Sequence, residues 1–190
     1  NPKKLKEMNE ILSHLGVEVV SEAELGVRIE VEETGETFTD NARLKATAVM
    51  QATGLPAVAD DSGLCVDALN GGPGVYSARF GGEGLDDKGR YTLLLEMLRG
   101  QTDRAAHFHT SIVCAFPNGD ELVCEGECPG TIAFAPMGEG GFGYDPVFFV
   151  PELRKTFGQL TAEEKASVSH RGKALRAFAA ALDDYLKGNE

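Results

Sequence analysis

The sequence predicts an α/β protein with a mixed, strongly twisted β-sheet flanked by helices. Three observations carry this expectation. Helical periodicity occupies both ends of the chain. Residues 106–116 alternate in the way a strand does, and an Asn118-Gly119 pair follows them. Short apolar runs bounded by turn residues recur between these regions. Helices at the ends with hairpins in the middle fit this class best. With 190 residues, 42% of them hydrophobic, the chain can form one sizeable globular domain or two small lobes.

Taken in order, residues 4–15 place Leu5, Met8, Leu12 and Leu15 at helical spacing, and Gly16 stops the run. Residues 17–20 read as a short strand. A second helix covers 38–53, with Leu44, Ala48, Val49 and Ala52 inward and Gly54 as its end signal. The run PAVADD at 56–61 reads as a buried strand that ends in two carboxylates, and a separate strand follows at 64–69. Asp86 caps a helix whose apolar face is Tyr91, Leu94, Leu95 and Leu98. The strand at 106–116 puts Phe108, Ile112, Cys114 and Phe116 on one face and Val113 and Ala115 on the other. Asn118-Gly119 turns it into a strand at 122–124, a strong hairpin signal. Further strands are expected at 130–134 and 146–150. Thr161 and Glu164 form a capping box that opens a short helix. A last helix carries Leu175, Phe178, Leu182 and Tyr185.

Charge and cysteine usage narrow the functional classes. The net charge of −12 repels nucleic-acid backbones and anionic membranes, so neither is an expected partner. No apolar run is long enough to span a bilayer, and no signal peptide is legible. A cytoplasmic setting is therefore expected. Cys124-x-x-x-Cys128 and His107-x-His109 invite a zinc reading. No second cysteine pair has finger spacing, and reduced cysteines filling an interior are the better account.

Six segments carry candidate chemistry. In ADDSG, Asp60 and Asp61 stand side by side, followed by Ser62. Two carboxylates forced together at a strand end call for a shared cation, and oxygen-only ligands suit magnesium. A plain Asp-Ser-Gly turn is the competing reading. Asn1 and Lys4 sit at the mouth of the first helix, where phosphate is attracted, although in isolation they read better as a frayed basic terminus. Glu32-Glu33-Thr34-Gly35 is acidic and turn-like, and its composition alone favours a solvated loop. Lys45 interrupts an apolar-leaning helix, with a snorkelling surface lysine as the competing reading. The stretch 138–146 sets four glycines around Phe142 and Tyr144, with Asp145 behind them. Such a loop lets backbone approach a flat ligand, and Phe142 could stack on a base. Lys165, His170 and Arg171 gather positive charge in an acidic chain. Together these are the means to hold a nucleoside polyphosphate.

With those segments in hand, the chain resembles the inosine triphosphate pyrophosphatase family, the house-cleaning nucleotidases. The likeness rests on ordered motifs: N-x-x-K at 1–4, EETG at 32–35, F-x-x-N-A at 38–42, ADDSGL at 59–64, PGVYSAR from Pro73, GGFGYDP from Gly140 and SHRG from Ser169. It runs over essentially the whole chain, 1–190, as a single domain of two lobes. The resemblance implies an elongated central sheet with the active-site cleft between the lobes, usually in a homodimer. It implies a first strand, ahead of the Asn, that this sequence does not include. It implies cleavage of ITP, dITP or XTP to the monophosphate and pyrophosphate, with Mg2+. It makes Asp61 the catalytic carboxylate and Glu33, Asp61 and Asp60 the metal site. It makes Asn1, Lys4, Lys45 and Ser62 phosphate and sugar contacts. Phe142, Gly143, Tyr144 and Asp145 become the base-stacking loop, and Lys165, His170 and Arg171 contact base and phosphate. Two alternatives stand beside this reading: a related pyrophosphatase with another base preference, and a nucleotide-binding module without turnover.

Overall fold

The computed structural model describes residues 1–189. Its helices are α1 (Pro2–Leu12), α2 (Phe38–Thr53), α3 (Asp87–Met97), α4 (Ala162–Val168) and α5 (His170–Gly188). Its strands are β1 (Ala57–Val66), β2 (Gly72–Pro73), β3 (Ala105–Ala115), β4 (Glu121–Ile132), β5 (Phe148–Val150) and β6 (Lys155–Thr156). They hydrogen-bond in the order β2-β1-β3-β4-β5-β6. β1 and β2 pair antiparallel, as do β4 with β5 and β5 with β6. The α/β class with helices about a sheet is as expected.

The chain divides into two compact units. The first comprises Asn1–Asp61, Ser111–Glu125 and the described part of Lys173–Glu190. Its main core sets Met8 and Leu12 of α1 and Ala174, Leu175, Phe178, Ala179 and Leu182 of α5 against Ile112, Cys114 and Phe116. The other face of β3, Val113 and Ala115, packs on Ala42 and Ala46 of α2. The strand's two-residue period thus feeds two helical layers, as its alternation predicts. The second unit comprises Ser62–Thr110 and Gly126–Gly172. Its core joins Leu64 and Val66, Leu94 of α3 and Leu98 just beyond it, Phe108, Ile132, Phe148 and Phe157.

Caps follow the expected chemistry. Asp86 accepts from the Gly89 N–H at 2.7 Å. Thr161 and Glu164 form the full capping box. Gly54 closes α2 at φ 69°, a left-handed conformation that glycine adopts without cost. No disulfide links the four cysteines, and burial pushes the Cys114 thiol up to about 12.

Several expectations are corrected. Residues 17–20 form no strand. The Asn9 side chain instead takes both backbone groups of Val19, each at 2.8 Å, a local substitute for a ladder. β1 does not end at the aspartates but runs through Asp60-Asp61-Ser62-Gly63 to Val66. Neither the strand end nor the Asp-Ser-Gly turn exists, because sheet pairing outweighs local turn preference. The strands expected at 122–124 and 130–134 are one strand, β4. The strand expected at 146–150 begins only at Phe148, after a 3-10 turn at Asp145–Val147. The inward face of α2 is Phe38, Asn41, Ala42 and Ala46, and Leu44 is exposed.

Candidate active site

In the first unit, Lys45 of α2 gathers the acidic groups. Its Nζ donates to the Asp60 backbone carbonyl at 2.7 Å. It lies 3.2 Å from Glu33 Oε1 and 3.6 Å from Asp61 Oδ1. Asp60 has a different partner, Lys4, whose Nζ is 2.9 Å from Oδ2. The separation follows from the strand, since successive side chains leave opposite faces. The premise of two carboxylates crowded together is thereby corrected: Glu33 and Asp61 share a cation, and Asp60 is served by its own. Burial pushes the Asp61 carboxyl above its ordinary value; Lys45 pulls it back and Glu33 pushes it up again. Asn1 caps α1, its side chain accepting from the Lys3 N–H at 3.0 Å.

Asn41, the Asn of the F-x-x-N-A motif, completes this cluster and is not among the candidate residues named above. It is fully buried. Its Oδ1 accepts from the Gly35 N–H at 2.7 Å, and its Nδ2 donates to Asp61 Oδ2 at 3.4 Å. A Cβ at Gly35 would stand 2.6 Å from that Oδ1, which excludes any other residue there without a shift. The glycine of the EETG turn is thus fixed by close approach to Asn41. A polar residue on an inward helix face was the one available signal.

In the second unit, Lys165 of α4 organises the glycine loop. Its Nζ is 2.6 Å from Asp145 Oδ2, and it lies 4.7 Å from the centroid of the Phe142 ring. Asp145 also accepts from the Phe142 N–H at 3.0 Å. Burial pushes the Asp145 carboxyl up, and Lys165 is the main influence holding it down. Phe142 itself is 70% exposed, so its ring is held at the base by a cation and open above. The Gly143 N–H donates to Asp87 Oδ2 at 2.9 Å. Tyr144 is buried, its hydroxyl donating to the Ser77 carbonyl at 2.6 Å, so it anchors the loop from within. Gly141, at φ 74°, could not carry a Cβ without striking the Asp145 carboxylate. Ser77, inside the PGVYSAR run, is a second residue not singled out: it is buried, and its Oγ takes the Leu64 N–H at 2.9 Å.

His170 and Arg171 occupy the first turn of α5, where Ser169 Oγ accepts from the Gly172 N–H at 3.0 Å. The His170 ring stacks on Phe108, with centroids 4.8 Å apart and planes at 16°. Ser62 donates to Thr110 Oγ1 at 2.6 Å.

The donor chemistry suits magnesium. Glu33, Asp60 and Asp61 offer only carboxylate oxygens, which that hard cation takes. Glu33 and Asp61 already converge on one positive charge, so a cation can be shared between them. Among the described residues, these three do not form a closely gathered ligand group; the group of that kind is His107, His109 and Glu127.

Fold and residue chemistry together define an α/β protein with an acidic, lysine-flanked cluster and a lysine-clamped aromatic loop. The chain belongs to the Ham1 family, whose model matches residues 1–181. A dITP/XTP pyrophosphatase of an Exiguobacterium species is 50% identical over 188 residues, covering 99% of this chain and 96% of that protein. A dITP/XTP pyrophosphatase of Desulforamulus reducens is 53% identical over 178 residues, covering 93% of this chain and 89% of that protein. The solved structure of a HAM1 protein from Coxiella burnetii superposes with a TM-score of 0.92 at 42% identity, covering 97% of this chain and 95% of that one.

Proposed function

We propose that this chain hydrolyses non-canonical purine nucleoside triphosphates, ITP, dITP and XTP, to the nucleoside monophosphate and pyrophosphate. The observation that carries the reading is the convergence of Glu33 and Asp61 on Lys45, with Asn41 fixing Asp61. Full-length likeness to proteins named dITP/XTP pyrophosphatase supports the substrate class. Phosphoryl transfer asks for charge neutralisation and a positioned nucleophile more than for covalent help. Magnesium, held by Glu33 and Asp61, would supply much of that neutralisation, while Asp60, on the other face of β1, is paired with Lys4. Lys4 and Lys45 supply further positive charge to the phosphates, and Asn1 and Ser62 contact phosphate or sugar. Asp61 accepts the proton of the attacking water. A carboxyl raised by burial is a stronger base than an ordinary one, provided that it is ionised at working pH.

In the same reading the base is held by the glycine loop and the first turn of α5. Phe142 stacks on it, with Gly143 leaving the backbone bare and Tyr144 and Asp145 holding the loop in place. His170 and Arg171 donate toward an oxygen at position 6, and Lys165 sets the loop. Adenine presents an amino donor at that position. A site built to donate there is left unpaired by it, which can cost roughly 10⁴-fold in discrimination. A homodimer and a cytoplasmic setting belong to the same reading. No described helix is long and apolar enough to cross a membrane, and the net charge of −12 disfavours nucleic acid as a partner.

Product analysis tests the proposal. ITP, dITP and XTP under magnesium should each give monophosphate and pyrophosphate, with ATP and GTP turned over poorly. Release of orthophosphate and a diphosphate, or no turnover of any of the five, would contradict it.

A further inference from the structure

We infer that His107, His109 and Glu127 form a binding site for one divalent transition-metal ion of the zinc class. His107 and His109 are two residues apart on β3 and so leave the same face of the strand. Glu127 stands on β4, the neighbour of β3 in the sheet. Its Oε1 is 2.9 Å from His109 Nδ1 and 3.9 Å from His107 Nε2. The three donor atoms all lie within 4.8 Å of one another, and among the described residues no other group of three His, Cys, Asp or Glu does so.

The geometry is close to what such an ion needs. Zinc bonds to nitrogen and oxygen of about 2.0–2.2 Å place tetrahedral ligand atoms roughly 3.3 Å apart. The two observed separations bracket that value. Glu127 is 58% exposed and His107 34% exposed at their side chains, while His109 is 15% exposed. One ligand is therefore held by packing, and the other two can adjust by rotation in solvent. Their exposure also provides the entry path.

The donor set decides the class of ion. Two imidazole nitrogens and one carboxylate suit zinc and its neighbours, whereas magnesium prefers oxygen alone. Three protein ligands leave a fourth position for water or another small ligand. The set shares no residue with Glu33, Asp60 and Asp61. An ion bound there ties β3 to β4 and stabilises the folded chain by mass action. The competing account is an ordinary surface hydrogen bond between His109 and Glu127.

The test uses tag-free full-length chain with magnesium in excess, so that the carboxylate set is already served. Zinc is titrated by equilibrium dialysis with metal analysis, alongside thermal melting. One zinc per chain is expected, with a melting temperature that rises with zinc. His107→Asn and His109→Gln should each weaken binding at least tenfold and abolish the rise, while melting like the wild type in chelator. Where either histidine variant fails to fold, Glu127→Gln, at an exposed position, gives the same comparison. Binding of zinc with unchanged affinity by the folded variants, or no bound zinc in the wild type, would overturn the inference.

Discussion

Replacing Lys165 by Met isolates what holds the glycine loop. Lys165 Nζ lies 2.6 Å from Asp145 Oδ2, and the Asp145 side chain is only 5% exposed. Met keeps the apolar stem and deletes the ammonium. Removing one partner of a buried pair costs roughly 3–5 kcal/mol, because a charge is left stranded. The Lys165 side chain is 24% exposed, so solvent screens part of the pair, and about 2–3 kcal/mol is the working figure. Loss of the cation over Phe142 adds about 0.5–1 kcal/mol. At roughly 2–4 °C per kcal/mol for a chain of this size, the melting temperature should fall by about 5–15 °C. Adding Asp145→Asn removes the stranded charge and should recover more than half of the loss. The pH dependence carries a definite sign. Without Lys165 the folded-state value of Asp145 rises further above its unfolded value. Protonation then relieves the stranded charge, so the deficit shrinks as pH falls through the folded value. Calorimetry of wild type, single and double variants in nucleotide-free buffer measures all three. A fall under about 2 °C, or a double variant no better than the single, would refute the reasoning.

Three further outcomes follow from the same geometry. Phe142→Ala should weaken ITP binding by about 1–3 kcal/mol while leaving binding of inorganic triphosphate nearly unchanged; equal losses, read by calorimetric titration, would make Phe142 a structural residue only. Lys45→Met removes the charge that lowers the Asp61 carboxyl, so the acid limb of the kcat/KM profile for ITP should move to higher pH. An acid limb that stays in place or moves down would contradict the assignment of Asp61 as the titrating base. His170→Phe keeps a ring to stack on Phe108 but has no N–H to donate, so the melting temperature should hold while the ratio of kcat/KM for ITP over ATP falls; a preserved ratio would remove His170 from base reading.

The sequence made legible whatever was written in local chemistry. The Thr161-Glu164 box, the Asp86 cap and the turn at Asn118-Gly119 are short-range signals, and each appears where expected. The two faces of β3 were legible because its period-two pattern feeds two separate cores. The inward face of α2 was not, because beyond Phe38 in its first turn the buried positions are Asn41, Ala42 and Ala46. Small and polar residues carry no apolar period, so Leu44 drew the helix face to the wrong side. The continuation of β1 through Asp60 to Gly63 depends on sheet neighbours, which turn propensity cannot see. The candidate site shows the same division. Asp61, Asp145 and Lys165 stand out by residue type, whereas Glu33 and Lys45 take their roles only from the resemblance; the structure ties Glu33, Lys45 and Asp61 together and Asp145 and Lys165 together. Glu127 was missed because it becomes a neighbour of His109 only once β4 is one strand.

The most direct measurement is pyrophosphate release from ITP by Asp61→Asn beside the wild type, with thermal melting on the same samples. Asn keeps the shape and the bond from Asn41 while removing the charge. Because burial raises the Asp61 carboxyl in the folded chain, its ionised form costs stability above that value, and the neutral variant should melt no lower than the wild type. Loss of a general base alone is worth about 10²–10⁴ in rate, so release should fall by at least roughly a hundredfold. A variant that stays folded and releases pyrophosphate at nearly the wild-type rate would contradict the account at its centre.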